Sequence, residues 1–81
     1  MLMNNYEKLR KVIADIFDVN VNSINEESSN TTIDLWDSIH QMNLIFAIEE
    51  SFDIHLSDED VVQLVSVKEI KRILKNNGIN F

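Results

Sequence analysis

With 81 residues the chain suffices for one small domain and not two, and its 44% hydrophobic content supplies a packed core rather than a disordered coil. The net charge of −7 is unevenly spread, since every Lys and Arg lies in Lys8–Lys11 or Lys68–Lys75 while twelve acidic residues fall between Val12 and Val67. That middle repels polyanions and excludes nucleic acid as a natural partner; the lack of cysteine excludes disulfides, thiolate metal sites and a cysteine nucleophile.

Met1 to Arg10 lacks the basic start and apolar stretch of a secretory signal, and no apolar run is long enough to span a bilayer. A cytoplasmic protein without stable membrane insertion is the expectation. From Asn4 to about Phe17, Tyr6, Leu9, Ile13, Ile16 and Phe17 recur at spacings of three and four. This predicts an amphipathic helix with Glu7, Lys8, Arg10 and Lys11 on its outer face. Asp18 to Trp36 is rich in Asn, Ser and Thr, which compete for backbone hydrogen bonds and favour turns. It predicts a long loop with one helical turn near Asn22–Glu26. Val19, Val21, Ile24, Ile33 and Leu35 are expected to pack it over the core.

A second helix is predicted from Ser38 to about Ser51, capped by Asp37 or Ser38. Leu44, Ala47, Ile48 and the following Phe52 supply its core contacts. Ile39, Met42, Ile45 and Phe46 add more apolar surface than one core-facing stripe needs. Either the helix is buried on two sides, or an apolar patch is left exposed, rimmed by Glu49, Glu50 and Asp53 and suited to a partner protein with a basic patch. Ser57 opens a short helix, Asp58 to Leu64, anchored by Val61, Val62 and Leu64. Ser66 caps the last helix, Val67 to about Asn76, with Val67, Ile70, Ile73 and Leu74 inward. Lys71, Arg72 and Lys75 suit the negative end of its dipole, and Gly78 suits a left-handed stop. Three main helices and a short one, with no alternating strand pattern, predict an all-α four-helix bundle with a long first loop, one domain over residues 1–81.

In Leu35-Trp36-Asp37-Ser38-Ile39, a hydroxyl stands where the long loop becomes a helix. At the positive end of the helix dipole, a phosphodiester on Ser38 would meet free backbone N–H groups. No His–carboxylate pair is arranged to activate Ser38, so any activating base must come from another protein. Taken alone, such an Asp-Ser pair is most often only a cap. His40 and His55 lack partners at metal-ligand spacing, and the acids Asp53, Asp58, Glu59 and Asp60 lack the pattern of a calcium loop, so no metal site is expected. The small chain, without an acid/base constellation, does not read as an enzyme.

The wider context changes that reading. Asp37-Ser38-Ile39, followed by Leu44, Ala47, Ile48-Glu49-Glu50 and Phe52-Asp53-Ile54, resembles the acyl and peptidyl carrier protein family. The resemblance continues through Leu56-Ser57-Asp58-Glu59-Asp60 and Val65-Ser66-Val67, and covers essentially the whole chain. It implies a monomeric, non-catalytic carrier with 4′-phosphopantetheine on Ser38, transferred from coenzyme A by a phosphopantetheinyl transferase to which Asp37 helps present the serine. The cofactor would supply the thiol that the chain lacks and carry acyl or aminoacyl groups as thioesters. The implied partners are acyl- or aminoacyl-activating ligases, acyltransferases and synthases of fatty acid, polyketide or nonribosomal peptide biosynthesis. Ile39, His40, Met42, Phe46, Glu49 and Glu50 fall where the family meets those partners.

Three departures stand out. Ile39 replaces the usual leucine, His40 and Asn43 replace acids common in fatty-acid carriers, and Trp36 replaces a small residue. They imply a dedicated carrier of a specialised pathway. The rival reading is a helical interaction module in which Ser38 only caps a helix.

Overall fold

The computed structural model describes residues 4–81. Four α-helices follow one another: α1 (Asn5–Phe17), α2 (Ser38–Phe52), α3 (Asp58–Val61) and α4 (Val67–Asn76). A 3₁₀ turn over Val21–Ser23 interrupts the long connection between α1 and α2. No strand forms among the described residues; an isolated antiparallel bridge joins Ser29 to Ser66. The all-α bundle expected from the sequence is the fold.

Each main helix begins with a short polar side chain that accepts an otherwise unpaired amide. Asn4 accepts from Glu7, Asp37 from His40, Ser57 from Asp60 and Ser66 from Glu69. The stops are equally local. Asp18 and Asp53 adopt left-handed conformations (φ 54° and 51°) after α1 and α2, and Gly78 (φ 92°) follows α4. Glycine takes this region without the Cβ clash that an aspartate there must tolerate.

Leu9, Ile13 and Phe17 of α1, Leu44 and Ile48 of α2, and Val67, Ile70, Ile73 and Leu74 of α4 are buried around one core. Ile24, Ile33 and Trp36 of the long loop are buried with them. Trp36 stacks on Phe17, ring centroids 4.7 Å apart. Val21 and Leu35, expected to join the loop's apolar contacts, are exposed. Polar ties add to the packing of Ile24, Ile33 and Val19 in holding the loop. Arg10, placed by periodicity on the outer face of α1, donates from Nε to the Ile24 carbonyl (2.9 Å) and from Nη2 to the Val21 carbonyl (2.8 Å). Lys71 of α4 pairs with Glu26 and lies over the Tyr6 ring, 4.6 Å from its centroid. Asn30 donates its amide to the Val65 carbonyl and Val67 to that of Ser28.

α3 is shorter than its expected span to Leu64. After Val61 the chain tightens into i→i+3 turns, Gln63 to Asp60 and Leu64 to Val61. This rotation delivers Leu64 to the core and leaves Val62, expected as an anchor, 75% exposed. Among the described residues, no helix is long and apolar enough to cross a membrane.

Candidate functional site

The first turn of α2 meets the end of the long loop and the segment after α3 at one edge of the bundle. Asp37 is the N-cap of α2, its backbone extended (φ −105°, ψ −176°) and its carbonyl accepting from the Gln41 amide at 2.8 Å. Its carboxylate Oδ1 accepts from the His40 amide at 2.9 Å and from His40 Nδ1 at 2.8 Å. These bonds, the backbone one foremost, hold the Asp37 carboxyl below the usual carboxylate range and keep it anionic. Ser38 follows as the first helical residue and is exposed. The expected supply of free amides is narrower than the sequence suggests, because Asp37 already occupies that of His40.

Beside Ser38 lies an open groove of about 240 Å³ lined by Asn30, Trp36, Asp37, Ser38, Gln41 and Val65. Two of its residues fix its walls. The Trp36 indole N–H donates to Gln41 Oε1, while Gln41 Nε2 donates to the carbonyls of Leu64 (2.9 Å) and Val61 (3.4 Å). One side-chain amide thereby joins the loop before Ser38, the first turn of α2 and the end of α3. Gln41 was not among the residues singled out from the sequence. The signal was present: it shares a helical face with Leu44 and Ile48, and a polar group on a core-facing stripe must find partners there.

The other singled-out side chains divide. Ile39, Met42 and Phe46 are 73%, 57% and 59% exposed on the side of α2 opposite Leu44 and Ile48, with exposed Glu50 on the same face. This is the open patch, not a helix buried on two sides. Its neighbours have second attachments. His40 is bonded to Asp37 and stacks 6.1 Å from Phe17. Glu49 Oε2 accepts the Leu56 amide at 2.8 Å and lies 3.2 Å from His55 Nδ1, tying the turn after α2.

The arrangement offers an accessible hydroxyl on a rigid helix start, beside an anionic carboxylate and at the lip of a groove. It fits attachment of a flexible phosphodiester arm: the hydroxyl is reachable, and the groove offers both polar (Asn30, Gln41) and apolar (Trp36, Val65) walls. Similarity to known proteins identifies the family. A family profile described as "Phosphopantetheine attachment site" matches residues 7–74. The chain is 41% identical over 77 residues to the acyl carrier protein of Buchnera aphidicola, covering 94% of this chain and 98% of that protein. It is 34% identical over 70 residues to the acyl carrier protein of Clostridium acetobutylicum (86% and 91% covered). Against the acyl carrier protein of Picosynechococcus the identity is 34% over 77 residues, with 93% and 94% covered.

Proposed function

This chain belongs to the phosphopantetheine attachment family of acyl and peptidyl carrier proteins, and from that membership we propose that Ser38 bears the arm and that the protein shuttles thioester-bound acyl or aminoacyl groups between enzymes. The family's cofactor is covalently attached 4′-phosphopantetheine, which supplies a terminal thiol for thioester chemistry. The observation that carries the assignment is the exposed Ser38 hydroxyl, first residue of α2, directly after the Asp37 cap.

The chain's own part in loading is that of a presented substrate. Ser38 Oγ forms a bond to the phosphopantetheine phosphorus of coenzyme A, the phosphoanhydride bond to the adenosine bisphosphate breaks, and the hydroxyl proton leaves to a base of a phosphopantetheinyl transferase. Asp37 fixes the turn that displays the hydroxyl. Ile39, Met42 and Phe46, with His40, Glu49 and Glu50 around them, form the face on which the transferase and the acyl- or aminoacyl-activating ligases, acyltransferases or synthases dock. Desolvating those three apolar side chains favours association, and the acids favour partners with a basic rim. Residues 1–81 act as one carrier domain, a monomer in the cytoplasm.

His40, Asn43 and Trp36 support a dedicated carrier for a specialised pathway. A face without acids at these two α2 positions suits partners less basic than those of a carrier whose α2 is acidic throughout.

The test is loading. The protein is incubated with coenzyme A, Mg²⁺ and a promiscuous phosphopantetheinyl transferase, and its intact mass is recorded. One phosphopantetheine addition, absent in Ser38→Ala, is expected; no addition with several transferases would leave the interaction module as the better account.

A further inference from the structure

The Trp36–Gln41 contact lies one helical turn from Ser38 and is not explained by carriage alone. A buried-face glutamine costs stability unless both ends of its amide are bonded. Here both are, and the three partners lie in two separate segments: the Trp36 indole before α2, and the carbonyls of Val61, the last residue of α3, and of Leu64 just beyond it. Trp36 is in turn 8% exposed and stacked on Phe17 of α1. The peptide linking Trp36 to Ser38 is only Asp37, so the position of the indole sets where the helix start sits relative to the bundle.

We infer that Gln41 is a positioning residue for phosphopantetheine transfer: by clamping the Trp36 indole to the end of α3, it fixes the direction in which Ser38 Oγ is presented. The inference rests on the assignment of Ser38 as the attachment point. Without the clamp the α2 cap remains, since the Asp37–His40 bonds do not involve Gln41. The turn would then pivot about its cap, leaving a folded protein with a less well aimed hydroxyl. Misalignment of a reacting atom by about 1 Å lowers rate constants by one to two orders of magnitude.

A role in positioning and a role in stability alone separate cleanly, because the carrier is the transferase's substrate. A variant that is partly unfolded lowers the concentration of competent substrate and raises the apparent KM, yet at saturation its kcat is unchanged. A variant whose hydroxyl is misaligned lowers kcat itself.

The experiment measures steady-state transfer from coenzyme A to the full chain for wild type, Gln41→Leu, Trp36→Phe and the double variant. Ile70→Val, in the α4 core and outside the groove beside Ser38, serves as the stability control. Trp36→Phe keeps an aromatic ring against Phe17 but removes the indole N–H together with part of the ring's buried bulk, so the clamp is broken from a second side. Expected are a fall in kcat of about tenfold for Gln41→Leu, a similar fall for Trp36→Phe, and little further loss in the double variant. Ile70→Val is expected to lower the melting temperature and leave kcat unchanged. Trp36 is the one tryptophan, so its emission reports the clamp directly and should shift to longer wavelength in Gln41→Leu. An unchanged kcat in Gln41→Leu, with wild type fully modified, overturns the role of Gln41 and leaves Ser38 intact. Failure of the wild type to accept the group with any transferase overturns the Ser38 assignment and the positioning role with it.

Discussion

Asp37 and His40 are joined twice, through the His40 backbone amide at 2.9 Å and through its ring Nδ1 at 2.8 Å, both to the same carboxylate oxygen. The charged carboxylate is thus favoured by the fold, and the folded protein lowers its pKa relative to the open chain. A depressed carboxyl contributes stability that is complete above its unfolded value and is lost as pH falls through the native value. Asp37→Asn keeps a capping oxygen and removes only the charge. It is expected to melt below wild type at neutral pH. The difference should shrink below the ordinary carboxylate range and vanish in stronger acid. Melting curves from neutrality to strong acid check this; a gap independent of pH contradicts it.

The face formed by Ile39 and Met42 should be dispensable for folding and needed for recognition. Both side chains are more than half exposed, so Ile39→Ser or Met42→Ser should alter unfolding free energy by no more than about 0.5 kcal/mol. Loss of about 1 kcal/mol of apolar contact with a transferase corresponds to about a fivefold rise in its KM. Urea titration and transferase kinetics on the same samples measure the two quantities. Unchanged KM values in both variants would place docking elsewhere.

Leu44 and Val62 make the opposite pair. Leu44 is fully buried, and truncation to alanine should cost about 2–5 kcal/mol, a large share of a small domain's stability. Val62, also a branched apolar residue, should tolerate serine within about 0.5 kcal/mol because it is three-quarters exposed. Denaturant midpoints decide between this assignment and the reading of Val62 as an anchor.

At Asp53 the left-handed backbone sets the preference. Asp53→Gly removes the Cβ clash but loosens the unfolded chain, for a net gain of about 0.5 kcal/mol. Asp53→Val should lose about 1–2 kcal/mol, because a β-branched residue is strained there. Equal melting temperatures for the two variants would contradict the left-handed stop.

Much of this was legible in the chain because its signals are local. Helix starts at Ser38, Asp58 and Val67 follow from short polar caps, and the first helix and the inward faces of α1 and α4 follow from spacings of three and four. The exposed hydroxyl at Ser38 follows from the same grammar. What escaped depends on contacts distant in sequence. Arg10 looked like a solvated charge, but its guanidinium found two loop carbonyls that only the folded loop presents. Val62 fitted an anchor in a continued helix, but the tighter turns after Val61 turn it outward. Gln41 reads as an ordinary helical polar residue until Trp36 and Leu64 are brought to either side of it.

The shortness of α3 sets where the molecule breathes. One turn of helix has few internal hydrogen bonds to lose, and beyond its Ser57 cap and the buried Leu64 it is secured to α2 through the amide of Gln41. Segments of this kind open at a fraction of the global unfolding free energy. Amide protons of Val61 to Val65 should accordingly exchange with solvent well before those of α4.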